Sequence, residues 1–556
     1  YNNTNINGED GNDTINLKNQ TNYTISNAAT HTVDGGNGTD TINVETSGNL
    51  GTISGGGEDD IITISGSNNA TIQGGSGGDI ITSNGTNNTI DGGDGGDVIT
   101  ITTDNNSANV TGGGDDDIVS VSGTGNSNIH GGTGNDTLIQ NSLVTDVSEF
   151  EYNSLTSNTG EFVLNAGETT TITLDGKNYT FTPNETQTVK YDLSNDIANF
   201  EIINSTITTS DDTDYQIKIK GTNNTINLKN GQDSLIVEGN ENSITAVENN
   251  KNIQINGDNN SFDGGSGANI VLVNGSFNTI AGGNNDDIVT VETGSDNNIT
   301  TKNGNDIVTI NSANNNINTG NDDDIIYMDS INDDTHTIDA GAGNDIIKIS
   351  TSNSTGLISG GSGNDNIFID GSENSNIQTG SNDDNIFDLG NNNNIINNSG
   401  NDIYYAKGQN STITGIDKVV LNNKNGSFVV TEANKEIDVV SGSNVYKITT
   451  SDADTLINYM KTDDKLKFTC DKVKLITPQE AIEKIEMVHS TGTYDVSKVK
   501  DGFWKAAIIE DGKIKLDAGC VTVFAGEASG STAEATITYK LPDDTTDTET
   551  VNVKVK

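Results

Sequence analysis

The sequence predicts a mainly β protein whose backbone winds into stacked parallel coils, a β-solenoid. Three observations carry that expectation. Aspartates recur in one register about every nineteen residues, each preceded by glycines and followed by a large aliphatic side chain. Hydrophobic residues are only 30% of the 556 and aromatics 5%, too little apolar area for an ordinary core unless repeats bury one another's faces. Glycine is abundant (64) and proline nearly missing (3), which suits extended segments broken by tight turns rather than a low-complexity linker.

The first repeat block covers residues 1–140. Its aspartates are Asp13, Asp40, Asp60, Asp79, Asp97, Asp117 and Asp136, and after a first gap of 27 the steps are 20, 19, 18, 20 and 19. The second block, residues 221–415, resumes with Asp233 and has Asn269 where an aspartate is expected. It continues through Asp287, Asp306, Asp324, Asp345, Asp365, Asp384 and Asp402. Two residues after the aspartates stand Ile42, Ile62, Ile81, Ile99, Val119 and Leu138, then Val289, Val308, Ile326, Ile347, Ile367, Ile386 and Tyr404. A second aliphatic column, Ile53 to Ile129 and Ile280 to Ile395, shares the period, so each coil holds two short strands with one buried face.

The two turns of each coil differ. One reads Gly-Gly-x-Gly-x-Asp, where Gly36, Gly38, Gly75, Gly77, Gly93, Gly95, Gly132, Gly134, Gly341, Gly343, Gly361 and Gly363 permit positive φ and let carbonyls crowd around an ion. The other is Asn-rich, as at Asn69, Asn88 and Asn126. Asn tolerates left-handed backbone, and its amide can bond the equivalent Asn one coil away.

The motif is clearest in "GGTGNDTLI" at 131–139 and "GGSGNDNIF" at 360–368, and it resembles the calcium-binding nonapeptide of RTX (repeats-in-toxin) proteins over residues 1–140 and 221–415. That resemblance implies right-handed parallel β-rolls in which turn carbonyls and the motif aspartates hold multiple Ca²⁺ ions between coils. It also implies type I secretion, with folding deferred until the chain meets extracellular calcium. The Asn-rich edge departs from the family pattern, so calcium is expected on the Gly-Asp edge alone. Binding is expected to be sparse over 221–270 and weakest beside Asn269. Copies such as "GGGEDDI" at 55–61 lose a glycine and gain an acid, so their coordination is expected to differ.

Charge argues for the metal independently. There are 80 acidic and 28 basic residues, a net charge of -52, which repels a phosphate backbone and excludes nucleic acid as a partner. Stacked coils about 4.8 Å apart set the aspartates in a column in which each neighbouring pair repels by roughly 3 kcal/mol at an effective dielectric of 20. Several such pairs outweigh the roughly 5 to 15 kcal/mol by which a domain is stable. Hard oxygen ligands favour Ca²⁺, and no Cys or His cluster invites zinc.

The remaining segments read as an inserted β-domain at 141–220, with a hairpin signal at Asp175-Gly176, and a C-terminal β-rich, α+β module at 416–556. The latter carries one expected helix at 477–489 and a terminal hairpin. Cys470 and Cys520 fit either a disulfide or two buried thiols. No charged, apolar leader opens the chain at Tyr1 and no run approaches eighteen apolar residues, so neither a cleaved signal peptide nor a transmembrane segment is expected.

No residue reads as catalytic. Ser76 sits in a Gly-x-Ser-x-Gly string, but that string precedes a strand where a nucleophile elbow opens a helix. Acid triplets such as 115–117 recur in several turns, and His31, His130, His336 and His489 are scattered and expected at the surface. The leading expectation is a non-enzymatic, secreted structural protein of the cell surface, similar to S-layer proteins with RTX repeats. It would self-associate into a lattice or attach to the envelope. A calcium-dependent adhesin, or the RTX portion of a larger exported enzyme or toxin, are the alternatives.

Overall fold

The computed structural model describes residues 5–18, 32–46, 50–66, 68–102, 108–122, 128–140, 146–211, 213–329, 335–350, 356–370, 375–450, 452–461, 465–470, 506–510, 513–517, 521–525, 532–540 and 546–554, beyond Phe468 as backbone only. The expected helix at 477–489, Cys520 and the side chain of Cys470 lie outside the described residues. Among the described residues every regular element is a strand. The chain divides into two compact units, Tyr1–Gly265 and Ser266–Lys556.

In the first unit the alternation of outward and buried residues along strands such as Thr41–Glu45 and Ile61–Ser65 is what packs. Strands Thr41–Glu45, Ile61–Ser65, Ile80–Ser83, Val98–Thr102, Ile118–Ser122 and Thr137–Gln140 pair in parallel, each one coil from the next. Thr32–Asn37, Thr52–Gly57, Thr71–Ser76, Thr89–Asp94, Asn109–Gly114 and Asn128–Thr133 form the other wall. Ile42, Ile62, Ile81, Ile99, Val119 and Leu138 therefore stack in one buried column, and Ile53, Ile72, Ile90, Val110 and Ile129 in another. Each buried aliphatic is worth roughly 2 kcal/mol by transfer, but only because the coil above and below covers it.

Parallel stacking continues through Asp146–Ser148, Tyr152–Leu155 and Thr170–Leu174 and then reverses. Thr170–Leu174 and Lys177–Pro183 form the expected hairpin, with Leu174 opposite Lys177. Asp175 and Gly176 have φ of 53° and 71°, the primed turn whose twist matches its strands. Thr159–Leu164, Gln187–Ser194 and Ile197–Glu201 are likewise antiparallel. Here the core is aromatic: Phe162, Tyr179, Phe181 and Phe200 meet with centroids 5.1 to 6.4 Å apart. Coils resume with Gln216–Lys220, Ser234–Glu238 and Asn252–Asn256 against Thr225–Leu228, Ser243–Ala246 and Ser261–Asp263.

The second unit repeats the plan. One wall runs from Ile270–Asn274 through Ile288–Thr293 and Ile307–Ile310 to Lys418–Leu421 and Glu436–Ser441, all parallel. The other runs from Thr279–Gly283 to Asn425–Val430. Antiparallel pairs follow, Glu436–Ser441 with Asn444–Thr450 and Asn425–Val430 with Thr455–Lys461. The expected terminal hairpin pairs Thr532–Lys540 with Thr546–Lys554.

Candidate metal centre

Each motif aspartate closes a turn and opens a strand, and its two oxygens have different fates. Oδ1 accepts the backbone N–H of the equivalent aspartate one coil earlier. From Asp13 to Asp136 these bonds are 2.6 to 2.8 Å, and from Asp287 to Asp402 they are 2.7 to 2.9 Å. Glu151 Oε2 ends the first series by accepting from Asp136 N–H at 2.8 Å.

Oδ2 is a different case. In Asp13, Asp40, Asp60, Asp79, Asp97, Asp117, Asp136, Asp287, Asp306, Asp324, Asp345, Asp365, Asp384 and Asp402 it is buried and accepts no hydrogen bond. A buried carboxylate oxygen without a donor or cation forfeits its hydration for nothing.

The turn glycines explain where these oxygens point. Those picked out from the sequence, Gly75 and Gly77 among them, have φ of 128° and 117°. The first glycine of each motif has a separate role. A Cβ on Gly74 would lie 2.2 Å from Gly92 O and 2.3 Å from Asp79 Oδ2, and one on Gly92 would lie 2.1 Å from Asp97 Oδ2 and 2.3 Å from Gly112 O. A carboxylate oxygen and the next coil's carbonyl thus converge on one cradle, which the missing Cβ leaves open. This pattern holds at Gly8, Gly35, Gly55, Gly74, Gly92, Gly112 and Gly131 in the first unit and at Gly360 in the second, whereas the nearest atoms to a Cβ on Gly282 all belong to Asp287.

Elsewhere in the second unit Thr301, Thr319, Ala340, Thr379 and Asn397 stand at the first-glycine place. The hydroxyls of Thr301, Thr319 and Thr379 moderate the pKa of Asp306, Asp324 and Asp384, which burial raises. Their protons nonetheless go to Thr319 O, Ala340 O and Asn397 Oδ1, at 2.9, 2.8 and 3.3 Å.

Burial, reinforced by the neighbouring carboxylates, pushes Asp97, Asp324 and Asp345 from 3.8 to about 7. Asp60 and Asp117 rise to about 6 for the same reason.

Asn269 shows what the cradle asks for. Its N–H donates to Asp287 Oδ1 at 2.7 Å, as an aspartate's would. Its side chain turns Nδ2 towards Gly267 O at 2.8 Å and Gly282 O at 3.1 Å. The amide hydrogens satisfy carbonyls that an aspartate meets with a bare oxygen. Asp233 has a cation beside it, Lys251 Nζ at 3.2 Å.

The Asn-rich edge repeats the backbone scheme with neutral groups. Asn242 Oδ1 accepts from Asn224 N–H, and Asn315 Oδ1 from Asn297 N–H, both at 3.0 Å. Asn242 and Asn260 Nδ2 donate to Gly221 O and Gly239 O at 3.1 and 3.0 Å. Asn88 belongs to this edge and Asn69 has φ of 51°. Asn126 lies outside the described residues. The surface expectation for His336 is corrected: it is fully buried, standing one coil on from Asn315, whose N–H donates to its Nδ1 at 3.2 Å. An imidazole nitrogen can replace the amide oxygen as acceptor.

Ser76 ends Thr71–Ser76 and a strand follows at Ile80–Ser83, not the helix a nucleophile elbow opens. Among the described residues no three His, Cys, Asp or Glu side chains converge on one point. A cation in the cradles must therefore draw on main-chain carbonyls beside single carboxylates, an all-oxygen set of the kind calcium accepts. The residues present fit that ion. Searches for a matching protein-family model and for a similar curated protein both found none.

Proposed function

We propose that the aspartate columns bind Ca²⁺, several ions to each unit, and that the chain is a secreted structural protein of the cell surface, related to RTX repeat proteins, whose coils rigidify on meeting calcium. The observation behind this reading is the row of buried Oδ2 atoms that no group of the protein hydrogen-bonds, which at Gly74 and its equivalents converge with the next coil's carbonyl. Asp13 to Asp136 and Asp287 to Asp402 would supply the charge and the turn carbonyls the remaining oxygens. Calcium held there would neutralise the columns and tie adjacent coils together, so folding and binding would be one event. The reading gives the chain no catalytic role.

The test is calcium removal. Equilibrium dialysis should find several bound ions per chain, and excess EGTA should abolish most of the β-sheet circular dichroism. Full β-structure in EGTA refutes the reading.

A calcium-dependent adhesin is the second reading, and one surface feature favours it. Phe368, Phe387 and Tyr405 stack on the outer face of the second unit at 4.5 and 4.3 Å, and Ile270, Ile288, Tyr327 and Ile346 are exposed on earlier strands of the same wall, a run of apolar surface of the kind that marks a binding face.

A further inference from the structure

In the first unit the register of the motif aspartates runs on through Tyr215, Asp233 and Lys251, because Gln216 lies opposite Ser234 and Ser234 opposite Asn252. Tyr215 N–H donates to Asp233 Oδ1 at 3.0 Å, the bond that recurs throughout the aspartate columns. The next coil then brings an ammonium where the columns bring a carboxylate.

Lys251 is buried, with neither its side chain nor that of Asp233 exposed, and its Nζ lies 3.2 Å from Asp233 Oδ2. Nζ also donates to Lys229 O and Glu248 O, both at 2.9 Å, and to Gly231 O. An ammonium has three N–H bonds, and three main-chain carbonyls receive them beside one carboxylate. This is an all-oxygen cage around a single positive charge. A buried ammonium is among the costliest groups to strip of water, so carbonyls that converge on it are a built site.

We propose that Lys251 is a tethered cation, standing in this turn where the aspartate turns take a divalent ion, so that the coils from Gln216 to Asp263 close without calcium. The comparison with the other turns rests on the calcium reading above. The opposite edge of this segment is neutral as well, made by Asn224, Asn242 and Asn260, whose side chains bond in series at 3.1 and 3.0 Å. Asp233 is offset by Lys251, so neither edge accumulates the repulsion that burdens Asp13 to Asp136. In calcium-poor surroundings this stretch stays folded and offers a finished surface on which further coils of its own unit can stack, since in a solenoid each repeat is stabilised by its neighbour.

Hydrogen exchange of the full chain, read by mass spectrometry in EGTA and in calcium, tests this. In EGTA the amides of 216–263 should stay protected while those of 60–136 and 287–402 exchange freely. K251M should lose at least tenfold protection over 234–256 in EGTA and regain it with calcium. The double variant D233N/K251M should regain protection in EGTA and ignore calcium, because an Asn here can donate to the carbonyl two residues back, as Asn269 does to Gly267. Unchanged exchange in K251M, or a double variant no better protected than K251M, overturns the proposal. If calcium leaves 60–136 and 287–402 of the unmodified chain unaffected, the calcium reading fails by itself. The two variants in EGTA still decide whether Lys251 closes its turn.

Discussion

Chelated protein titrated from pH 7.5 to pH 5 exposes the cost of the aspartate columns directly. In the second unit burial raises Asp287, Asp324, Asp345, Asp365 and Asp402 from 3.8 to about 7, and Asp306 and Asp384 to about 6. Because the folded pKa lies above the unfolded one, the folded chain holds protons that the unfolded chain has released. Stability is then full below about pH 4 and is lost as pH rises through 6 to 7. A displacement of three units corresponds to about 4 kcal/mol per group. Solvent screening at a turn edge cuts this to about 1 kcal/mol each, and seven such groups still sum to about 7 kcal/mol, comparable with a domain's whole stability.

Somewhat more than half of that, about 4 kcal/mol, falls between pH 5 and pH 7.5, so the metal-free second unit should melt on the order of 10 °C higher at pH 5 than at pH 7.5, followed by circular dichroism in EGTA. In excess calcium the trend should vanish or reverse, since the ion binds the deprotonated carboxylates and competes with the protons. A chelated melting temperature that is flat or rising between pH 5 and pH 7.5 refutes the claim that these carboxylates lack a counter-charge.

Gly74→Ala places a methyl 2.2 Å from Gly92 O and 2.3 Å from Asp79 Oδ2. It should cost roughly 1 to 3 kcal/mol in urea melts and remove one calcium per chain by equilibrium dialysis, and unaltered stoichiometry would exclude the cradle as the binding place. Asn269→Asp exchanges two amide donors, to Gly267 O and Gly282 O, for a further carboxylate. Calorimetry should register added calcium binding, while the chelated protein loses roughly 1 to 3 kcal/mol. Asp388 is buried among four donors, Tyr404 and Ser411 hydroxyls at 2.8 and 2.6 Å on Oδ2, and Asn393 Nδ2 and Gly390 N–H, both at 2.9 Å, on Oδ1. Asp388→Ala should cost roughly 3 kcal/mol with or without calcium, and calcium-dependent destabilisation there would show that the two aspartate classes are not separate.

The period was legible because a coil of fixed length forces chemically equivalent residues to recur, so the aspartate register, the aliphatic columns and the Asn edge could all be read by counting. What could not be read are residues whose role comes from position rather than type. Lys251 differs from every motif residue, yet stepping eighteen positions from Asp233 places it in the aspartate register. Asp388 occupies a strand place held by Ile369 one coil earlier and Ala406 one coil later. Two of its partners, Gly390 and Asn393, are local, but Tyr404 and Ser411 come from the next coil, so local spacing alone does not announce it. The first glycines were recognised as motif letters, but that their missing Cβ opens a space between two oxygens follows only from the stacking of coils. Those exceptions sharpen the case for metal. Where Asn269 stands, amide hydrogens meet the carbonyls, and where Lys251 stands, an ammonium does. The fourteen aspartates bring another oxygen to the equivalent place. A proton can fill that gap only while the carboxyl holds it, and where the values given lie at about 6 to 7 it is lost by pH 7.5. On the reading proposed above, a cation from solution keeps the coils closed above that pH.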